Sequence, residues 1–208
     1  MDLTGNLYVI SAPSGAGKTS LVNELLRRND DLHVAISHTT RPQRPNEVNG
    51  EDYHFVSQQA FALMQQQDLF LEHAEVFGYL YGTSKQAIDA ILAKGKDIIL
   101  EIDWQGAAQI RRSIGNCTTI FILPPSKDAL YRRLTSRGQD EIHIIDQRMN
   151  AAIDELSHLG EFDYLVINDQ FESAILNLVE IIRGECAHLS TQSQQIKLHD
   201  LITELLSE

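Results

Sequence analysis

The stretch Ser11-Ala12-Pro13-Ser14-Gly15-Ala16-Gly17-Lys18-Thr19 constrains the fold more than any other part of the chain. It follows an apolar run, Leu7-Tyr8-Val9-Ile10, and precedes a helical pattern from Ser20 to Arg28. A loop of small residues between a buried strand and a helix turns several backbone N–H groups toward one point, and the helix N-terminus adds its dipole there. Such a concave, positive nest suits a polyphosphate. Lys18 supplies a full charge near the β- and γ-phosphates, and the Thr19 hydroxyl can reach a Mg²⁺ ion. The predicted ligand is a nucleoside triphosphate, held by Ala12, Pro13, Ser14, Gly15, Ala16, Gly17, Lys18, Thr19 and Ser20. The usual form of this loop, Gly-x-x-x-x-Gly-Lys-[Ser/Thr], has glycine where this chain has Ala12. Alanine is tolerable there if its φ is negative.

Size and composition narrow the classes further. A chain of 208 residues with 43% hydrophobic content predicts one domain of ordinary size with a real core and small lobes attached. A formal charge of −12 argues against a general nucleic-acid binder and indicates solubility. The two cysteines, Cys117 and Cys186, form no Cys-x-x-Cys, which excludes a zinc ribbon and a thioredoxin motif. The N-terminus lacks the pattern of a signal peptide, and no apolar run approaches the about 20 residues that span a bilayer. The expected setting is reducing and cytoplasmic, with neither membrane nor nucleic acid as partner.

Strand and helix patterns alternate, which predicts an α/β fold with a largely parallel sheet. Expected strands are Asn6–Ser11, His33–Ser37, Asp97–Asp103, Cys117–Leu123 and Tyr164–Asn168. Expected helices are Lys18–Arg28, Ser84–Ala93, Trp104–Arg112, Lys127–Ser136 (N-capped by Ser126), Ile144–Leu159 and Phe171–His188. The alternation breaks between His38 and Thr83, where short strands near Tyr53–Val56 and Leu69–Phe77 flank a helix at Gln58–Gln67. That texture predicts an inserted small α+β lobe. A second break, Arg132 to Arg148, is rich in arginine. The tail after Ser190 turns amphipathic and could pack on the core or on a partner subunit of a homo-oligomer.

Ser37-His38-Thr39-Thr40-Arg41-Pro42-Gln43-Arg44-Pro45 carries two arginines three apart, each followed by proline. Guanidinium groups pair bidentately with phosphate oxygens, and the prolines lower the entropy lost when the loop orders. Downstream of a phosphate loop, this predicts a second anion site. The apolar strand Asp97–Asp103 ends in Glu101 and Asp103, which point to one face. A carboxylate at such a strand end can hold Mg²⁺ directly or through water.

These stretches, with Gly50-Glu51-Asp52-Tyr53-His54-Phe55, Leu71-Glu72-His73-Ala74, Tyr81-Gly82-Thr83, Glu101-Ile102-Asp103-Trp104-Gln105-Gly106 and Arg133 through Arg137-Gly138, form an ordered set. In that set the chain resembles the guanylate kinase family, of bacterial type, from the phosphate loop to about His188. The resemblance implies a P-loop NTPase fold that transfers phosphate from ATP to GMP with Mg²⁺ as cofactor. It implies a core of residues 1–37, 84–131 and 149–189, a GMP-binding lobe at 38–83, a lid at 132–148 and a tail at 190–208. It implies that Arg41, Arg44, Tyr53 and Tyr81 hold the GMP phosphate, and that Ser37, Glu72 and Thr83 read the guanine, with Asp103 nearby.

The chemistry agrees. Two guanidinium groups and two phenolic O–H donors can satisfy a dianion without a metal. One carboxylate at Glu72 accepts from both N1–H and the N2 amino group of guanine, where adenine would present a lone pair. The resemblance also brings Arg133, Arg137 and Arg148 to the ATP phosphates and Asn168 to the adenine end. Lys18, Arg41, Arg137 and Arg148 are then the catalytic set, and Thr19 and Asp103 the metal ligands, with Glu101 the other strand-end candidate. The nucleophile is an already anionic phosphate oxygen, so no general base is needed. Two rival readings remain: a non-catalytic guanylate-kinase-like binding module, which has no need of Lys18, Thr19 or the arginines, and a kinase of this fold acting on a phosphorylated sugar, which would not need Ser37, Glu72 and Thr83 together.

Overall fold

The computed structural model describes residues 5–136 and 142–207, with backbone alone at 136 and 142–146. In chain order the first elements are β1 (Leu7–Ser11), α1 (Lys18–Arg27), β2 (Leu32–Val34), β3 (His38–Thr39), β4 (His54–Phe55), α2 (Gln58–Gln66), β5 (Phe70–Val76), β6 (Tyr79–Ser84) and α3 (Lys85–Leu92). There follow β7 (Asp97–Glu101), α4 (Trp104–Ser113), β8 (Thr118–Leu123), α5 (Lys127–Ser136), α6 (Ile142–Ser157), β9 (Tyr164–Ile167), α7 (Phe171–Arg183), α8 (Thr191–Lys197) and α9 (His199–Leu206). Two compact units divide the chain, the first of Met1–Val9 and Asp30–Thr118, the second of Ile10–Asn29 and Thr119–Glu208.

The first unit holds β2, β7 and the start of β1, to Val9, and a separate four-stranded sheet, β4-β3-β6-β5. β2 runs parallel to β7, with Leu32 opposite Asp97. Every residue of β1 is buried, as are Ile98, Ile99 and Leu100 of β7. Such unbroken apolar runs are the mark of parallel strands covered on both faces. In the smaller sheet β5 and β6 are antiparallel and join through Phe77 and Gly78, at φ of 51° and 76°. Two successive positive φ values match the right-handed twist of a tight hairpin. α2 covers this sheet with Phe61, which is fully buried and stacks on Phe70 at 4.5 Å.

The second unit holds the end of β1, from Ile10, together with β8 and β9, which pair in parallel. Ser126 caps α5 as expected, its Oγ accepting from Ala129 N at 3.0 Å. The tail packs within its own unit. α9 lies against α6 and buries Leu205 completely, and Thr191 Oγ1 donates to the Phe162 carbonyl at 2.5 Å. No helix among the described residues is long and apolar enough to cross a membrane.

Three departures from the sequence expectation have local causes. The strand expected at His33–Ser37 is β2, Leu32–Val34, because the chain then leaves it and enters the smaller sheet as β3. The helix expected to reach His188 stops at Arg183, where Gly184 adopts a left-handed φ of 76° and closes the last turn. Strands β3 and β6 go beyond the expected set. Both are short or polar, and each is set by its cross-strand partner rather than by its own composition.

Candidate functional site

In the second unit β1 feeds the loop that opens α1. Gly15 and Gly17 take φ of 91° and 95°. Among the described residues only Asp68 and Phe77 have positive φ without being glycine, so Ala12 sits in ordinary backbone and the missing first glycine costs nothing. A Cβ on Gly17 would lie 2.4 Å from Asn168 Nδ2, so glycine is required there by space as well as by φ.

Asn168, buried after β9, donates Nδ2 to the Ala16 carbonyl at 2.7 Å. Arg133 Nη1 donates to that same carbonyl at 3.1 Å, and its Nη2 to Asn168 O at 3.0 Å. A trans peptide points its C=O and the next N–H in opposite directions, so clamping the Ala16 carbonyl also orients the Gly17 N–H. Ser14 is held twice from α6: its Oγ accepts from Arg148 Nη2 at 2.8 Å, and its N–H donates to Glu155 Oε2 at 3.0 Å. Lys18 is half-buried at the start of α1, and Thr19 and Ser20 are exposed beside it. No side chain caps this helix.

Arg133, Arg148 and Asn168, expected on the ATP, are thus brought to the loop itself. Arg137 lies outside the described residues. Arg132 is exposed and donates back to the Asp128 carbonyl of its own helix at 3.2 Å. Glu155 escaped the sequence reading, although its place two helical turns after Arg148 puts both on one face.

In the first unit Ser37, Glu72 and Thr83 converge in a buried chain, exposed by 8%, 3% and 0%. β5 and β6 set Glu72 opposite Thr83 in register. Thr83 Oγ1 donates to Glu72 Oε1 at 2.5 Å, and Ser37 Oγ lies 3.0 Å from Thr83 Oγ1. A carboxylate only accepts, and a threonine has one hydroxyl proton, so Ser37 is the donor in the second bond.

Beside this chain stands the first turn of α4. A Cβ on Gly106 would lie 2.5 Å from Glu72 Oε2, so glycine lets the helix start approach the carboxylate. The positive end of a helix dipole favours an anion at that place. Asp103 caps the helix: Oδ1 accepts from Gly106 N at 2.9 Å and Oδ2 from Gln105 Nε2 at 3.1 Å. Gly106 was in the recognised motif, but its role needed the fold.

The Arg-Pro loop lies in the same unit. Arg41 Nη1 and Nη2 donate to Glu47 Oε2 and Oε1 at 3.0 and 2.6 Å. Its guanidinium carbon sits 5.6 Å from the Tyr53 ring centre and 5.7 Å from that of Phe55. Tyr53 and Tyr81 meet edge to face at 5.9 Å. Burial, followed by the nearby Tyr81 and Glu101, pushes the Tyr53 hydroxyl up to about 12, so it remains a donor at neutral pH. Arg44 is more exposed, at 45%, and its backbone N–H donates to Glu47 Oε2 at 2.7 Å. Burial works against the Glu47 carboxylate, but Arg41 and the Arg44 N–H outweigh it and hold its pKa below the usual range. Glu47 was not among the expected site residues.

Two residues were expected to hold Mg²⁺. Thr19 offers an exposed hydroxyl on the first turn of α1, which fits a hard oxygen-seeking cation beside a polyphosphate. Both oxygens of Asp103 already accept from α4. Among the described residues no group of three or more His, Cys, Asp or Glu could hold a metal ion.

Comparison with known proteins points the same way as the geometry. The family model for guanylate kinase matches residues 4–185. The guanylate kinase of Pseudomonas fluorescens is 53% identical over 203 residues, covering 98% of both chains. That of Alkalilimnicola ehrlichii is 51% identical over 202 residues, covering 96% of this chain and all of its own. The crystal structure of guanylate kinase from Anaplasma phagocytophilum superposes with a TM-score of 0.73 at 29% identity, over 98% of this chain and 97% of its own. A phosphate loop clamped by its own unit, a buried Ser-Thr-Glu chain and near full-length similarity lead to one assignment: the chain belongs to the guanylate kinase family.

Proposed function

We propose that the chain is a cytoplasmic enzyme that transfers the γ-phosphoryl group of ATP to GMP, giving ADP and GDP. The observation that carries this reading is the buried Ser37–Thr83–Glu72 chain. A carboxylate kept away from water, with one oxygen taken by Thr83 and the other beside the start of α4, is a costly arrangement to hold without a purpose. It suits the adjacent N1–H and N2 donors of guanine, and Ser37 can turn its proton to O6. Adenine would leave the carboxylate facing a lone pair, and mismatches of that kind discriminate strongly.

Arg41, Arg44, Tyr53 and Tyr81 hold the GMP phosphate by charge and by O–H donation. An anionic phosphate oxygen of GMP attacks the γ-phosphorus, so the protein has positioning and charge neutralisation to supply. Lys18 and the N–H groups of the clamped loop receive the β- and γ-phosphates. Arg133 and Asn168 contribute by fixing the Ala16 carbonyl, and Arg148 by reaching the phosphates from its place on Ser14. Arg137 belongs to the same lid, residues 132–148, and residues 38–83 are the GMP-binding lobe. Thr19 would hold Mg²⁺, which would supply neutralisation of the phosphate charge. Asp103 serves chiefly as the α4 cap that keeps Gly106 against Glu72.

The test is ADP release from Mg·ATP with GMP, AMP, CMP, UMP, dGMP and a phosphorylated sugar offered separately. Turnover strongly favouring GMP is expected. Folded protein that binds GMP but turns over nothing would make the chain a binding module, and turnover with the sugar phosphate alone would move it to another acceptor.

A further inference from the structure

The arginine that carries most of the acceptor-phosphate reading does not stand free. A guanidinium has five N–H donors, one on Nε and two on each Nη. On Arg41, Nη1 donates to the Pro42 carbonyl at 2.7 Å and to Glu47 Oε2 at 3.0 Å, which uses both of its protons. Nη2 donates one proton to Glu47 Oε1 at 2.6 Å. What Glu47 leaves is the Nε–H and the second Nη2–H. These two are parallel, and such a pair meets two oxygens of a carboxylate or phosphate at once. The Tyr81 side chain, one of the expected phosphate donors, lies beside the same guanidinium.

Glu47 is itself fixed. Its Oε2 also takes the Arg44 N–H at 2.7 Å, its own N–H donates to the Arg44 carbonyl at 3.1 Å, and Gln43 Nε2 donates to its carbonyl. The Arg41 and Glu47 side chains are only 11% and 15% exposed. A solvated surface pair would be looser and worth little. This pair is half-desolvated, bidentate and tied to the backbone of the second arginine.

We propose that Glu47 is a positioning residue for phosphate recognition: it occupies the Nη1/Nη2 edge of Arg41, ties Arg44 to the same point, and so presents the Nε/Nη2 edge of Arg41 to the acceptor phosphate. The inference rests on the GMP reading above. It gives the loop its register, since the proline stiffens the backbone but does not rotate the guanidinium. It also sets the local charge: with Glu47 present, the two arginines and the carboxylate sum to a single positive charge. A rival account, in which Glu47 merely fills the place of an absent phosphate and is displaced by it, predicts the opposite sign.

The experiment measures binding of GMP and of guanosine by calorimetry to the full chain and to Glu47→Gln, with KM for GMP, KM for ATP and kcat alongside. Glu47→Gln is expected to weaken GMP roughly tenfold or more while guanosine is unchanged, and to raise KM for GMP more than it lowers kcat. Arg41→Lys with Glu47→Gln should then lose less GMP affinity than the two single losses added together, because Glu47 acts largely through Arg41. Glu47→Asp keeps the charge but withdraws it by one methylene, and it carries the same comparison should Glu47→Gln not fold. Tighter GMP binding by Glu47→Gln, equal losses for GMP and guanosine, or additive losses in the double variant would each overturn the proposal. Equal affinity of the unaltered chain for GMP and guanosine would instead overturn the GMP reading on which it stands.

Discussion

In the first unit the polar side chains of the candidate site are bonded to one another: Ser37 to Thr83, Thr83 to Glu72, Arg41 to Glu47. In the second they are bonded to a loop, with Asn168 and Arg133 on the Ala16 carbonyl and Arg148 and Glu155 on Ser14. The difference matches the two recognition tasks of the proposed reaction. A base and a phosphate monoester are distinguished by the pattern of their donors and acceptors, so side chains must meet them, and those side chains must be held in place by each other. A triphosphate tail presents many equivalent oxygens. Backbone N–H groups can meet many of them beside the Lys18 charge, so most of the other side chains there hold the backbone. A substitution in the first unit should therefore change what is accepted, and one in the second should change how fast anything is turned over.

The largest expected effect tests the second unit. Lys18→Ala should lower kcat by roughly 10²–10³-fold while GMP still binds, since it removes a charge that acts on the transferring phosphate. Near-normal turnover would sink the role of the loop, and loss of GMP binding would erase the contrast between the units. Next comes Glu72→Gln, which replaces an acceptor-only group by one that is half donor. KM for GMP should rise roughly 10–100-fold and the preference for GMP over AMP should narrow, with the KM for ATP little changed. An unchanged GMP/AMP ratio removes Glu72 from base recognition.

Gly106→Ala probes the same pocket more gently. The added methyl would sit 2.5 Å from Glu72 Oε2, and that carboxylate has little room to retreat from Thr83. A loss of about 1–2 kcal/mol in GMP binding is expected, with ATP binding intact. An equal loss for both nucleotides would show a general defect of the fold.

The smallest effect is a pH dependence. The Glu47 pKa is depressed below its ordinary 4.5, so its pair with Arg41 contributes stability fully present above that value and lost as pH falls through the lowered one. Denaturant titrations of the unaltered chain and Glu47→Gln should differ by about 1 kcal/mol at neutral pH. The gap should close below pH 4.5, and a gap constant down to pH 3 would show that the pair is not what Glu47 contributes.

Parts of this were legible in advance, for identifiable reasons. The phosphate loop could be read because its chemistry lies in consecutive residues and its neighbours declare a buried strand and a helix. The substitution of Ala12 could be framed as a question of φ, which the folded loop then answered. Ser126 as a helix cap and Asp103 at a strand end were local features too, although Asp103 was read for a metal and stands at the start of α4 as a cap. The Ser37–Thr83–Glu72 chain was different. Composition and spacing made Glu72 a carboxylate in an apolar setting, and family resemblance joined it to Ser37 and Thr83. Gly184 is a local stop signal near the end of its helix, and the expected helix ran past it to His188.

Residue order along the chain settled the loop, the alternation of strands and helices and the acidic charge, because each depends on near neighbours or on sums over the chain. Gly106 against Glu72, Glu47 across Arg41 and Glu155 on Ser14 needed the folded molecule. The paired residues lie 34, 6 and 141 positions apart in sequence. Nothing in the identity of a glycine or a glutamate says which partner it will meet. Those meetings arise where a hairpin register, a turn and a helix start converge, and burial then makes each unsatisfied donor or acceptor expensive enough that the partner must be there.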